Sequence, residues 1–212
     1  MTVPTATIRE SRTVLTGVSW QTFKALLADI GEDRNCRIAY DRGILEIMNI
    51  DAGHEEPVAL IEDFLTAVAD ELGIEVRRLG SLTLERSDLT RMVEPDTCFY
   101  IQNESLVRGK AEIDLNIDPP PDLVVESDYT RSSLNKLEIY ASIGVPELWR
   151  YRRSTLQVYQ LVAGKYEPSD RSLAFPFLPI AEVPEFIAQS QTIGQRSAVR
   201  AFRQRLQEIL QE

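Results

Sequence analysis

The spacing of apolar positions along the chain predicts several helices. Residues 19–31 (SWQTFKALLADIG) and 54–73 (HEEPVALIEDFLTAVADELG) place apolar residues three or four apart, and each segment ends in a glycine that can stop a helix. Residues 132–144 (SSLNKLEIYASIG) predict a shorter helix of about three turns. A last helix is indicated by four apolar residues at helical spacing: Val199, Phe202, Leu206 and Ile209.

Strands are predicted between these helices. Residues 36–50 (CRIAYDRGILEIMNI) indicate a hairpin that turns at Asp41-Arg42-Gly43. Further strands are predicted at 74–80, 81–86, 97–101, 122–127, 147–153 and 155–166, the last two as a hairpin turning near Ser154. Residues 170–184 are proline-bearing and irregular. This pattern predicts a mixed α/β fold, with a mixed sheet flanked by helices in one domain over residues 1–212 and a loose lead-in at 1–10.

Composition narrows the class of protein. The chain is 43% hydrophobic and 26% charged, and it lacks the run of roughly 18–20 apolar residues that a membrane-spanning helix needs. The N-terminus has no apolar signal core, so we expect a cytoplasmic protein without a membrane partner. Cys36 and Cys98 are far apart and His54 is the single histidine, which argues against a disulfide framework or a histidine-rich zinc site.

The charge distribution is uneven. The net charge is −10, whereas nucleic-acid binders normally carry a basic footprint. Residues 111–130 hold six acids and no base. Arginines cluster later in the chain: Arg150, Arg152, Arg153, Arg196, Arg200, Arg203 and Arg205. An acidic site with basic flanks could still hold a phosphate backbone through a metal ion.

Two acids occupy a strand that otherwise has a buried composition. In the segment DLVVES, Asp122 and Glu126 point to the same face because residues two apart share a face. Two ionised carboxylates need water, a cation or a metal ion in an apolar interior. Asp122 has an equally good interpretation as a cap of the strand, which leaves Glu126 to be explained.

Two more residues have both a chemical and a structural interpretation. Asp96 follows Pro95 at the start of a strand, where Pro-Asp is also common in turns. Lys136 falls within the apolar arc of its helix, near Ile139 and Tyr140, so it either extends to the edge of the core or reaches a buried acid such as Glu126. Two acids on neighbouring strands can hold Mg²⁺, and a nearby lysine can steer water or stabilise a developing anion.

The order of these blocks resembles a known group of enzymes. A Pro-Asp pair, followed some thirty residues later by D-L-V-V-E, is similar to the PD-(D/E)xK nuclease superfamily. From about 54 to 159 the chain more closely resembles the Uma2 family of restriction-endonuclease-like proteins, including EPD at 94–96, PPPDLVVES at 119–127 and YASIGVPELWRY at 140–151. The resemblance implies a restriction-endonuclease-like core.

The resemblance also implies the roles of individual residues. Asp96 and Glu126 would be catalytic acids that bind Mg²⁺ or Mn²⁺, and Asp122 would be a further acid on the strand. The usual superfamily lysine lies two residues after the strand glutamate, where this chain has Asp128, so Lys136 would substitute for it. Glu55 or Glu56 would assist, while His54 is either a site residue or a histidine at the start of a helix.

These features support three hypotheses. The first is a Mg²⁺-dependent endonuclease that hydrolyses phosphodiester bonds of DNA. The second is an inactive binding or regulatory protein with the same fold, favoured by the displaced lysine and the net charge. A sugar hydrolase with two carboxylates is the third, and the distance of Trp20 and Trp149 from the acids in sequence argues against it. We expect a homodimer, because duplex cutting often uses two active sites.

Overall fold

The computed structural model describes residues 11–31, 34–49, 52–127 and 134–211, with the backbone alone at 52–54. The helices in these ranges are α1 (Trp20–Ile30), α2 (Ala52–Leu72), α3 (Glu104–Val107), α4 (Lys136–Ile143), α5 (Val183–Ile193) and α6 (Gln195–Gln211). The strands are β1 (Arg12–Thr16), β2 (Cys36–Asp41), β3 (Ile44–Asn49), β4 (Arg77–Arg78), β5 (Leu84–Arg86), β6 (Arg91–Val93), β7 (Thr97–Tyr100), β8 (Leu123–Ser127), β9 (Glu147–Arg152), β10 (Thr155–Val162) and β11 (Lys165–Ser169).

The strands form two sheets, and the predicted mixed fold of strands and helices is confirmed. The first sheet has the order β1-β3-β2-β6-β5, and its pairs are antiparallel. The second has the order β11-β10-β9-β8-β7-β4 and contains one parallel pair, β8 with β9. A parallel pair needs a crossover connection, and α4 lies in that connection. This topology places α4 beside β8.

Strand β8 separates two parts of the core. Leu123 and Val125 pack in the cluster that contains Phe64 of α2 and Phe202 of α6, whose rings stack at 4.5 Å. Val124 points the other way, into the cluster formed with α4. Because side chains alternate along a strand, Glu126 points to the α4 side together with Val124.

The predicted boundaries hold best where a local signal marks them. Ser19 caps α1 by accepting a hydrogen bond from Thr22 N at 3.1 Å. Gly31 follows the helix with φ of 75°, a conformation that glycine adopts at little cost. The predicted hairpin at 36–50 is also confirmed, with β2 and β3 paired from Cys36 to Asp41. None of the helices in the described part of the chain is long and apolar enough to cross a membrane.

Several boundaries differ from the prediction. Strand β1 was not predicted, because it is a mostly exposed edge strand without a buried face. The predicted strand at 155–166 is two strands, β10 and β11, that turn at Ala163 and Gly164 with positive φ. The C-terminal region contains a second helix, α5, which ends at Gly194 before α6 begins. Helix α4 begins at Lys136 in the described residues, whereas the predicted helix began at residue 132. Residues 132 and 133 of that prediction lie outside the described residues.

Candidate active site

The structure places Asp96 immediately before β7 and Glu126 on the neighbouring strand β8. In the antiparallel pair of β7 and β8, Thr97 is opposite Val125, so the next position outward sets Asp96 opposite Glu126. Ser127 N donates a hydrogen bond to Asp96 Oδ2 at 2.7 Å, which holds this end of the pair together. Both carboxylates also act electrostatically on the hydroxyl of Tyr140, which places them in the same part of the structure.

Two donors from α4 hold the Glu126 carboxylate. Lys136 Nζ donates to Glu126 Oε2 at 2.8 Å, and the Tyr140 hydroxyl donates to Oε1. The side chains of Lys136 and Glu126 are 11% and 4% exposed, so the ion pair is almost dry. Burial and the nearby carboxylates of Glu126 and Asp96 raise the pKa of Tyr140 well above its ordinary value. The phenol therefore stays protonated and remains a donor.

The helix places both donors by its periodicity. Lys136 is the first residue of α4 and Tyr140 lies one turn later, and residues four apart share a helix face. The crossover position of α4 turns this face towards the Glu126 side of β8. Of the two interpretations of Lys136, the structure shows the one in which it reaches a buried acid, Glu126. Tyr140 was missed as a site residue because its ring fits the apolar arc, although its spacing from Lys136 is a signal that could have identified it.

A cavity of about 270 Å³ opens beside Asp96. Helix α2 contributes Glu55 and Glu62 to its wall, and Glu62 is paired with Arg78 at 2.9 Å. The remaining lining residues are Arg37, Met48, Val58, Ala59, Gly80 and Ser81. Of the two acids predicted to assist, only Glu55 lines the cavity.

The neighbouring acid, Glu56, has a different environment. It accepts hydrogen bonds from Gln191 at 3.0 Å and Gln195 at 3.2 Å, and so links α2 to α5 and α6. The side chain of His54 and the whole of Asp128 lie outside the described residues.

The structure does not bring Asp122 together with the other predicted site residues. Its carboxylate accepts hydrogen bonds from Ile101 N at 2.6 Å, Asn103 N at 3.0 Å and Asn103 Nδ2 at 2.6 Å. It also lies four positions from Glu126, about 13 Å along an extended strand. Asp122 thus stabilises the turn that follows β7 through these hydrogen bonds, in agreement with its interpretation as a structural cap.

The donor chemistry of the carboxylate pair fits a magnesium ion. Mg²⁺ is commonly bound by one or two carboxylates, with water and substrate phosphates completing its shell. Asp96, just before β7, and Glu126, on β8, carry carboxylate oxygens, which are hard donors. Within the described residues, no group of three or more His, Cys, Asp or Glu side chains is arranged to hold a metal ion. A complete cage of protein ligands is therefore not part of the described structure, and Mg²⁺ does not require one.

The fold is that of a restriction-endonuclease-like protein, with one acid just before β7, another on β8 and a lysine on the crossover helix that follows. Residues 20–192 match the model of the Uma2 family, described as "Putative restriction endonuclease". The chain belongs to the Uma2 family, and this membership supports a nuclease function.

A solved structure is similar over most of the chain. It is the crystal structure of "a putative nuclease belonging to DUF820" from Anabaena variabilis ATCC 29413, with 15% identity and a TM-score of 0.52. The match covers 86% of this chain and 99% of that chain. At this identity the likeness supports the shared fold. No curated protein matches the sequence.

Proposed function

We propose that the protein is an endonuclease that hydrolyses phosphodiester bonds of DNA with Mg²⁺ or Mn²⁺. The observation that carries this proposal is the facing pair of Asp96 and Glu126, with Lys136 bound to the second acid. Membership of the Uma2 family supports the same chemistry. Asp96 and Glu126 would hold the metal, which when bound favours ionisation of water and offsets charge on a phosphoryl oxygen.

The protein groups around the acids have separate tasks. Ser127 N fixes one oxygen of Asp96, so the carboxylate keeps one orientation beside the cavity. Tyr140 fixes Glu126 in the same way from the buried side. Lys136 supplies a positive charge that can orient the attacking water or stabilise the developing anion. Burial strengthens these interactions because water competes with them less.

A nicking assay tests the proposal. Supercoiled plasmid should be nicked by the wild-type protein with Mg²⁺ or Mn²⁺ and left intact in EDTA. Asp96→Asn and Glu126→Gln should each lower the rate by about 100-fold or more, since each removes a charge at the reacting site. Asp88→Asn is a matched control because Asp88 lies on the surface, paired with Arg86 at 2.8 Å. Full cleavage by a folded double variant of Asp96 and Glu126 would refute the assignment.

A second candidate is a binding or regulatory protein without turnover. The observation in its favour is that Lys136 and Tyr140 donate to both oxygens of Glu126, so a metal would have to share that carboxylate with them. Calorimetric titration separates the two candidates. Heat of Mg²⁺ or Mn²⁺ binding that disappears in Asp96→Asn favours the nuclease, whereas no binding at millimolar metal favours the second candidate.

The homodimer stays a prediction, on the ground that two active sites suit the two strands of a duplex. The apolar stripe of α6 does not add to that ground, because it packs within its own chain, where Phe202 stacks on Phe64 and Leu206 is buried. Sedimentation at micromolar protein should show a dimer, and a monomer there would contradict the prediction.

A further inference from the structure

Arg37 is a nearly buried cation with little compensation. Its side chain is 17% exposed, and its one ion-pair partner among the described residues is Glu55 Oε1 at 4.0 Å, beyond hydrogen-bond length. Glu55 itself is 60% exposed. The Nε atom of Arg37 is buried, and no described group accepts a hydrogen bond from it. Buried polar groups normally have partners, so this guanidinium has donors available for a ligand.

The neighbouring arginine has a different environment. Arg34 donates to the Glu94 carboxylate and to the carbonyl oxygen of Gly31, although its Nε also has no described acceptor. Glu94 is further occupied by Ile38 N at 2.9 Å. The charge of Arg34 is therefore neutralised within the protein, and Glu94 is not available to Arg37. The contrast indicates that Arg37 is held for a group that the protein does not supply.

The position of Arg37 indicates where that group would bind. The pairing of β2 with β6 ends at Ala39 opposite Val93, and Glu94 N donates a hydrogen bond to Ile38 O at 3.2 Å, so Arg37 lies beside the segment that leads to Asp96. Both Arg37 and Asp96 line the cavity of about 270 Å³. Arg37 also lines a second cavity of about 630 Å³, and Ser81 is the other residue common to both. Arg37 thus lies where the two cavities meet.

We propose that Arg37 binds a phosphate group of the nucleic-acid backbone, next to the phosphodiester bond that is cleaved at Asp96. The guanidinium presents a planar set of donors that matches two phosphate oxygens, and burial strengthens such a pair. The backbone would continue from Asp96 past Arg37 into the larger cavity, towards Arg34. This inference rests on the proposed function and adds a binding residue to it.

A binding experiment without cleavage tests the role of Arg37. Fluorescence anisotropy of a labelled DNA duplex is measured in EDTA at several salt concentrations. Arg37→Gln should weaken binding about tenfold and lower the slope of log affinity against log salt by about one, the signature of one lost phosphate contact. Arg37→Lys should keep the slope but lose part of the affinity, because lysine lacks the planar fork.

Arg86→Gln is the matched control. It removes the same charge from an arginine that is paired with Asp88 and lines neither cavity. Its affinity should stay within about twofold of the wild type. If Arg37→Gln proves unfolded by circular dichroism, the wild-type melting temperature provides a second measurement. Stabilisation by a short duplex supports the proposal, whereas equal stabilisation by inorganic phosphate alone identifies a free-anion site and overturns it.

The outcomes separate this proposal from the proposed function. If Arg37→Gln binds DNA with wild-type affinity and slope, or if the wild-type protein shows no salt-dependent binding, the role of Arg37 is overturned. Metal-dependent nicking that is lost in Asp96→Asn would still support the nuclease in the first of these cases. Conversely, Arg37→Gln could bind DNA more weakly while the wild-type protein never nicks DNA. That result supports the phosphate contact and refutes the proposed nuclease function.

Discussion

Replacing Lys136 by methionine tests the buried ion pair directly. The substitution keeps most of the apolar stem of the side chain and removes the ammonium beside Glu126. Both side chains are almost dry, at 11% and 4% exposure. Breaking a buried pair on one side costs roughly 3–5 kcal/mol, since an uncompensated charge remains. Tyr140 still donates to Glu126. We therefore expect the free energy of unfolding to fall by about 3 kcal/mol, the lower end of that range.

The assay is urea unfolding in EDTA at neutral pH, completed as a double-mutant cycle. Glu126→Gln removes the second charge, so Lys136→Met with Glu126→Gln should recover most of the loss and give a coupling energy of about 2–3 kcal/mol. Adding Mg²⁺ should stabilise the Lys136→Met protein more than the double variant, because a ligand that binds only the folded state raises its stability. The difference in stabilisation by Mg²⁺ therefore tests metal binding by the acids without a cleavage assay.

A clear result would refute this reasoning. Suppose that the free energy of unfolding of Lys136→Met in EDTA is within about 1 kcal/mol of the wild-type value and that the cycle gives no coupling energy. The two side chains then do not behave as a buried ion pair. Glu126 would then be neutral or hydrated in solution. The role of Lys136 as the substitute for the usual superfamily lysine would lose its structural basis.

Three further predictions concern groups around and away from the site. Tyr140→Phe removes one donor to Glu126, so it should lower the free energy of unfolding by about 1–3 kcal/mol in urea titrations and slow nicking without abolishing it. Asp122→Ala should cost a similar amount, since it leaves two backbone N–H groups without their acceptor. Its nicking rate per folded molecule should match the wild type. Burial acts to raise the pKa of Asp41, but hydrogen bonds from Arg42 and Arg91 outweigh it and lower that pKa. The stabilisation is therefore present above the ordinary carboxyl pKa and lost as pH falls through the lowered value. Unfolding free energies measured from neutral pH down to about pH 3 should decline less in Asp41→Asn than in the wild type.

Local signals allowed much of the fold to be predicted. Ser19 and Gly31 mark the ends of α1, and the alternation of side chains along β8 is enough to assign Glu126 to one face of the strand. Strand β1 lacked such a signal because it owes its place to pairing with β3, about thirty residues away in sequence. The pairing of an edge strand with a distant partner depends on the backbone of that partner and leaves little trace in the apolar pattern.

The candidate site, like the fold, was predictable only where a local signal was present in the sequence. The position of Lys136 in the apolar arc of its helix was a local signal. A charged group there either extends to the edge of the core or pairs with a buried acid, and Glu126 was the candidate acid. The neighbourhood of Asp96 and Glu126 depends on the register of β7 and β8, which was implied by family resemblance rather than by either residue alone. Arg37 carries no local signal, since its burial results from the meeting of β2, α2 and the segment before β7.

The candidate site draws its groups from two parts of the chain that can change in sequence independently: the sheet and the crossover helix α4. The acids belong to the sheet, whereas the cation and the phenol belong to a helix that can change its sequence without altering strand register. A change of Lys136 to arginine would keep a positive charge beside Glu126 but replace a compact ammonium by a group that does not lose its proton. If the proposed function is correct, sequence changes in α4 would retune or abolish cleavage while the acids of the sheet stay in place. Related chains with intact acids and an altered α4 would then be expected to bind DNA without cutting it.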